Sequence, residues 1–198
     1  GHSTGKVTVQ HGDIYGRLMH SAGRAVAGHY KAEMQKALDF VRQRHDALAL
    51  PYTEEPNVVF ATSDTGRVRL RDDYQAGRAI GLHTAWLREL ELPVQHLSAV
   101  RVAGQIAINP KAYCDALAAE FVRRGGRIYE RTAVIDIKDG DMVRLRTARG
   151  HTVMASTVIQ TVGYPLYPKV GLHLLRLRPT HTHLMAFKLK QPIPEGMY

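Results

Sequence analysis

The chain has 198 residues, 44% of them hydrophobic and 23% charged, the balance of a folded domain rather than a disordered segment. Its formal charge of +9 admits an acidic partner, yet the basic residues never gather into one block. A lone cysteine, Cys114, excludes an internal disulfide framework; no apolar run nears the roughly 20 residues that cross a bilayer, and no secretory leader opens the chain, which together suit a cytoplasmic protein.

The densest basic patterns are Arg67, Arg69 and Arg71, and then Arg123, Arg124, Arg127 and Arg131; both read as solvated faces. The chain opens at Gly1-His2-Ser3-Thr4-Gly5 without a methionine and stops at Pro194-Glu195-Gly196-Met197-Tyr198. Both ends read as interior to a longer protein, with a tag remnant at Gly1-His2-Ser3 as the alternative.

From about Gly12 to Leu50 the apolar residues carry a helical period through Ala25, Val26, Tyr30, Met34, Ala37, Leu38, Val41, His45 and Leu48. Gly23 and Gly28 weaken its first part, so two helices fit as well as one, and Pro51 ends it. Val58-Val59-Phe60-Ala61-Thr62 has the length and content of a strand. Thr65-Gly66 then reads as a turn, with Val68 and Leu70 alternating against Arg67, Arg69 and Arg71 as in a half-exposed strand. A short helix is expected from about Tyr74 to Leu90, interrupted near Gly81, and an extended stretch from Pro93 to Ile108.

Asn109 suits an N-cap and Pro110 the first helical position. Tyr113, Leu117 and Phe121 follow on one face, and Gly125 suits a left-handed C-cap. Strand is expected next, through Ile128 to Ile137. Asp139-Gly140 signals a hairpin and Gly150 a second turn, which predicts a three-stranded meander with one wet face. Thr157 to Val162 reads as a buried strand stopped by Gly163-Tyr164-Pro165, and residues 172–190 as two extended stretches around Pro179. The fold class is mixed α/β, with antiparallel strands beside at least one buried strand.

This order resembles the amino-acid-oxidase branch of the FAD-dependent oxidoreductases, the group of glycine oxidase, sarcosine oxidase and gamma-glutamylputrescine oxidase. The residues that carry the resemblance run from Gln105 to Pro110, through Tyr113 and Leu117 to Gly125-Gly126. They continue through Ile128 to Val134 and Thr147, and from Val158 to Pro165. The opening Ser3 to Gly12 also resembles the loop that runs beneath the flavin ring. The resemblance implies part of a flavin-binding Rossmann-like domain with a β-meander, over 1–50 and 105–165. It also implies part of an antiparallel-sheet substrate domain, over 51–104 and 166–198.

It further implies that backbone groups of Val134 meet the adenine, where a plain buried strand residue is the competing reading. The turn Thr161-Val162-Gly163 would lie close to the cofactor, with Gly163 allowing close backbone approach. Ser3, Thr4 and Lys6 would supply hydroxyl and ammonium groups near the flavin or pyrophosphate, and a cation beside the ring would stabilise its reduced, anionic form. The implied reaction is oxidation of a C–N bond of a small amine or amino acid by hydride transfer to FAD. Arg67, Arg69, Arg176 and Arg178 are candidates for a substrate carboxylate.

The departures are as informative. No G-x-G-x-x-G lies between a strand and a helix; the nearest imitation, Gly77 to Gly81, lacks the spacing. Without that helix N-terminus for the pyrophosphate, the chain alone is expected to bind FAD weakly or not at all, and to be inactive.

Other signals weigh less. His2, His11, His20 and His29 fall nine apart, a spacing that sends helical neighbours to opposite faces. His181-Thr182-His183 lacks a third metal ligand, so no metal is expected. Cys114 reads as a buried small hydrophobe, and the pairs Asp72-Asp73 and Glu54-Glu55 as solvated turns. The alternative to an enzyme is a basic binding module for nucleic acid or another polyanion, although only 7% of residues are aromatic.

Overall fold

The computed structural model describes residues 3–162, 177, 183–190, 192–194 and 196–198. The chain divides into two compact units, Gly1–Glu120 with Phe187–Tyr198, and Phe121–Ala186. These units cut across the division into cofactor and substrate segments expected from the sequence.

The first unit is built on one long strand. β4 (Ser98–Ile108) pairs antiparallel with β2 (Tyr52–Ala61) along one edge, and with β1 (Lys6–Val7) and β3 (Thr84–Leu87) along the other. The β2–β4 register shifts between Glu55 and Asn57, where Pro56 has no N–H to give and Gly104 takes a φ of 67°. Arg42 donates to the Gly104 carbonyl at 2.6 Å and holds the bulge from the helix side. The outer edge of β2 is closed by Met197, whose N–H donates to Pro56 O and whose carbonyl accepts from Val58 N. Of these strands β4 is paired along both edges, while β1 and β3 each have one described neighbour.

α1 (Ile14–Ala47) and α2 (Asp64–Ala79) cover the core. Leu38 of α1 and Ala76 of α2 pack in one buried cluster with Val102 and Ile106 of β4, Val9, Tyr15 and Leu82. α1 is two helices joined at Gly23, whose φ of 83° and ψ of 173° break the period, as its glycine allowed. The buried stripe runs through Ala27, Tyr30, Met34, Leu38, Val41 and His45. Ala25 and Val26 fall off this phase and are exposed, which corrects their place in the expected face.

The stretch 64–79 corrects the sequence reading more deeply. It is helix, not turn, strand and a later helix: Ser63 caps it, its Oγ accepting from Gly66 N at 3.1 Å. Leu70, Asp73, Ala76 and Gly77 form its buried stripe, a 3.6-residue period that an arginine at every second position had masked as alternation. The helix stops at Ala79, Gly81 takes a φ of 75°, and β3 follows where the helix was expected to run on to Leu90.

Asp73 is buried at 3% exposure, and Glu54 and Glu55 lie in β2, so neither acidic pair is a solvated turn. The Asp73 carboxylate accepts from Gly16 N at 2.9 Å and from Tyr15 N. Asp13 holds the N-cap position of α1 without making a side-chain cap, so α2 supplies the cap instead. The two helices meet so closely that a Cβ on Gly16 would lie 3.1 Å from Asp73 N.

α3 (Pro110–Arg123) begins as expected. Asn109 Oδ1 accepts from the N–H groups of Lys111 and Ala112, both at 3.1 Å. It ends at Gly125 with a φ of 89°, where Gly125 N and Gly126 N donate to the carbonyls of Val122 and Phe121. Tyr113 stacks on the buried His45 ring at 4.6 Å. Cys114 is exposed rather than buried, because α3 buries no residue fully.

In the second unit β5 (Val134–Lys138), β6 (Val143–Thr147) and β7 (Thr152–Ala155) form the expected antiparallel meander. Strand begins only at Val134; residues around Ile128 are not strand. Thr157 to Val162 is not a buried strand either: Ile159 is 82% exposed, and none of the described strands pairs with this stretch. Apolar composition alone does not bury a strand that has no ladder partner. Most of 172–190 lies outside the described residues, and its described part, 177 and 183–190, contains no strand. Among the described residues no helix is long and apolar enough to cross a membrane.

The cap on α1 makes a stability prediction with a pH signature. Asp73→Ala should cost about 1–3 kcal/mol, since it leaves buried N–H groups unpaired. Burial raises the Asp73 carboxyl above its ordinary range, outweighing the two backbone hydrogen bonds that lower it. A carboxyl raised by folding contributes stability below its unfolded value, about 3.9, and loses it as pH rises through the folded value. Asp73→Asn keeps an acceptor and cannot ionise, so its stability relative to wild type should grow from acid toward neutral pH. Urea midpoints across that range measure it; a constant difference would contradict the assignment.

Candidate functional site

Gly5 to Gly12 is a tightly held stretch of the first unit. Gly5 has a φ of 77°, and a Cβ there would lie 2.3 Å from the Ile108 carbonyl oxygen. Ile108 N donates to Gly5 O at 2.9 Å, so the chain enters β1 pressed against the end of β4. Past β1 the sheet no longer satisfies the backbone, and side chains take over. Val9 N donates to Gln105 Oε1 at 2.8 Å, and Val9 O accepts from Tyr15 OH at 2.5 Å. Both Val9 and Tyr15 are buried. Burial foremost, with Tyr30 and Asp73 nearby, pushes the Tyr15 phenol up, so it stays protonated and donates.

Gln10 is fixed in the same way. Its N–H donates to Thr8 Oγ1 at 3.0 Å, its Oε1 accepts from Asn57 Nδ2 at 2.9 Å, and its Nε2 reaches Val100 O at 3.4 Å. Gln10, Asn57 and Gln105 are all nearly inaccessible, and this network satisfies them without water.

The loop and β2 wall a cavity of about 440 Å³. Lys6, Thr8, Gln10 and His11 line it from the loop, Asn57 to Phe60 from β2, and Tyr198 closes one side. No acidic side chain is among the described lining residues. Lys6 Nζ donates to Tyr198 O at 2.5 Å, and partial burial of the ammonium pulls its pKa below the ordinary value. His11 Nδ1 lies 3.2 Å from Tyr30 OH. The Tyr30 ring meets Tyr15 edge-on at 6.0 Å. A cavity with a lysine, no acidic side chain and one apolar wall suits a ligand that joins negative charge to a flat apolar body.

A second ligand-like feature lies in the other unit. Ala148 N donates to Ala133 O, while Thr147 N donates to His151 O. That pattern makes Val134–Thr147 a non-hydrogen-bonded pair, so the N–H and C=O of Val134 point away from β6. Since β5 is an edge strand of the described meander, both groups face its open side. A donor and an acceptor side by side on an open edge match the edge of a purine.

The remaining candidates are scattered. Ser3 and Thr4 are exposed just ahead of Gly5, with Ser3 Oγ accepting from Gly5 N at 3.2 Å. Thr161 and Val162 are exposed in the second unit, and Gly163, Arg176 and Arg178 lie outside the described residues. Arg67 pairs with Asp64 on α2 at 2.9 Å, and Arg69 lines a different cavity with Asp13, Arg17 and Asp72. Of the expected residues, only Lys6 reaches the loop cavity. His11, Gln10, Asn57 and Tyr198 were not singled out as site residues, although the first two sit inside the stretch that carries the flavin-loop resemblance. Among the described residues no cluster of His, Cys, Asp or Glu could hold a metal ion.

Over residues 1–197 the chain matches the family described as FAD dependent oxidoreductase, whose cofactor is FAD. A curated relative from Bacillus subtilis (strain 168), YhfW, provisionally described as a Rieske 2Fe-2S iron-sulfur protein, is 28% identical over the whole chain. The chain spans 39% of that protein's length. Among solved structures, glycine oxidase from Geobacillus kaustophilus superposes with a TM-score of 0.52 at 22% identity, covering 78% of this chain and 42% of that one. L-alpha-glycerophosphate oxidase from Mycoplasma pneumoniae with FAD bound gives 0.50 at 14%, covering 78% and 41%. At these identities the likeness is one of fold. The open edge at Val134 and the cationic loop cavity are both of a kind that FAD can use.

The clamp on Val9 is open to mutation. Gln105→Leu keeps the bulk but orphans a buried N–H, and should cost about 1–3 kcal/mol in urea unfolding. Gly5→Ala, strained and pressed on a carbonyl, should destabilise at least as much, while Thr4→Ala should stay within about 0.5 kcal/mol. Equal effects at all three positions would show that the loop is not held in this way.

Proposed function

From a chain that belongs to the FAD dependent oxidoreductase family, we propose a part in oxidising a C–N bond of a small amine or amino acid, with hydride passing to the flavin. The observation that carries this reading is the loop cavity, where Lys6 sits among polar donors and an apolar wall with no acidic side chain in the described lining. When bound, FAD supplies the hydride acceptor, and the protein's part is binding, orientation and electrostatics.

Lys6 is proposed to stabilise negative charge on the reduced ring. Ser3 and Thr4 offer hydroxyls to the same cofactor, and the backbone pair of Val134 meets the adenine. The turn Thr161-Val162-Gly163 approaches the cofactor through its backbone. Val58, Val59 and Phe60 exclude water from the reacting side. In this division segments 1–50 and 105–165 serve the cofactor, and 51–104 with 166–198 the substrate; the cavity draws on both through the loop, β2 and Tyr198. For a substrate carboxylate we place Arg176 and Arg178 ahead of Arg67 and Arg69, which belong to α2 and another cavity.

The Bacillus relative's description makes an iron–sulfur centre one electron acceptor to test. A Rieske centre takes two cysteines and two histidines, and this sequence has a single cysteine, so the ligands would have to lie outside it. A cytoplasmic setting fits the lone thiol. The polyanion-binding alternative is not favoured by a family match that spans residues 1–197.

Two measurements test the proposal. Full-length protein carrying FAD, mixed without oxygen with a panel of amines and amino acids, should lose its oxidised flavin absorbance with at least one of them. Reduction only by a hydroxy compound such as glycerol 3-phosphate would overturn the C–N assignment. Lys6→Met should slow flavin reduction by about tenfold, the effect of roughly 1.4 kcal/mol on the barrier. The 198-residue chain alone, lacking a G-x-G-x-x-G cradle, should purify without stoichiometric flavin; a full complement would refute that expectation.

A further inference from the structure

We propose that His11, held in place by Tyr30, gives the loop cavity a proton-dependent preference for anionic ligands, and that Tyr30 is a positioning residue acting through it. The inference rests on the reading of this cavity as the ligand site, and it adds a residue and a ligand class to that reading.

His11 is exposed at the cavity wall, and its Nδ1 lies 3.2 Å from Tyr30 OH. A phenol is the better donor of the two, so Nδ1 accepts and the ring proton of the neutral imidazole sits on Nε2; this tautomer follows from the chemistry of the pair. No described protein group bonds Nε2, which leaves it for a ligand. Tyr30 is itself fixed, edge-on to Tyr15 at 6.0 Å, and Tyr15 OH is anchored on Val9 O. The orientation of His11 is thus tied through two rings to the backbone clamp of the loop.

The charged and titratable groups around His11 are few. β1 presents Lys6, α1 presents Tyr30, and β2 presents no ionisable side chain to the cavity. Tyr198 closes the side where its backbone oxygen takes Lys6 Nζ. The nearest acid in sequence, Asp13, is paired with Arg17 at 3.0 Å, and Asp73 is occupied by the start of α1. A protonated imidazole would therefore join Lys6 as a second cation with no acidic side chain among the described lining to offset it. An anion relieves that repulsion. By linkage, anion binding and proton uptake must then reinforce each other.

The test uses full-length protein carrying FAD and sodium benzoate as the probe, followed by calorimetry. Binding should be about fivefold tighter near pH 5.5 than near pH 8, as expected for one added charge at an accessible site. Titration in two buffers of different ionisation enthalpy should show proton uptake, and neutral benzamide should show neither effect. His11→Asn should remove both the pH slope and the uptake. Tyr30→Phe, which keeps the ring contact with Tyr15, should weaken benzoate about threefold in the wild-type background and not further in the His11→Asn background. Absence of benzoate binding at either pH would overturn the proposal, as would a pH slope that survives His11→Asn. Equal weakening by Tyr30→Phe in both backgrounds would show that Tyr30 does not act through His11. None of these readouts needs turnover, so a failure to oxidise amines is a separate result.

Discussion

The peptide groups on either side of Val9 are held by side chains rather than by a strand or a helix, and the first unit is arranged around that hold. Gln105 takes the N–H from β4, and Tyr15 gives its hydroxyl to the carbonyl from the first turn of α1. A buried backbone group without a partner costs about 1–3 kcal/mol, so the loop can leave the sheet only where such partners wait for it. The same two residues reach onward. Gln105 stands in the strand that organises the sheet, while Tyr15 opens the helix that covers it and braces Tyr30 behind His11. Cavity, sheet and helix therefore share one fixed point.

That point depends on α1 starting where it does. Asp13 leaves the helix uncapped, and the missing acceptor comes from Asp73, in the interior of α2. Such a cap works only at close range, which is why the residue facing it is Gly16, with no room for a Cβ. A buried carboxylate with two backbone donors is costly to create and hard to replace, so it fixes the pairing of α1 with α2 more narrowly than apolar contacts would. Arg24 adds a weaker tie of the same kind, donating to the Ala79 carbonyl at the C-terminus of α2 at 2.7 Å.

The parts of this fold that were legible in the sequence are those whose chemistry is local. Asn109-Pro110 and Gly125 bracket α3 because a cap and a left-handed stop involve neighbours in the chain, and Asp139-Gly140 announces its hairpin for the same reason. Residues 64–79 were misread because Val68 and Leu70 fit two periods at once, and only Ser63, a cap signal passed over, separates them. Asp73 looked like half of a solvated acidic pair because its partners lie 57 residues away. Thr157 to Val162 has a strand's composition without a strand's partners. At the cavity, Lys6 was found through resemblance, whereas His11 was hidden among histidines judged by their spacing alone. What gives His11 its place is a tyrosine 19 residues on, and no local pattern announces that pairing.

The charge of the chain can be understood in the same terms. An excess of nine positive charges invites a polyanion, but many of the cations are engaged within the molecule. Arg42 holds the Gly104 bulge, Arg24 a helix end and Lys6 the Tyr198 carbonyl, while Arg71 and Arg78 lie over the rings of Trp86 and Tyr74. Arg44 pairs with Glu120, and Arg67 with Asp64. Cations spent on carbonyls and rings keep their charge, and so still raise the potential around them. A diffuse positive field matters most where an enclosed surface lacks counter-charge, because low-dielectric walls concentrate it. In the first unit the loop cavity carries Lys6 and no acidic side chain among its described walls. The net charge of the chain and the chemistry of its candidate site thus point to the same kind of guest, a small molecule carrying negative charge.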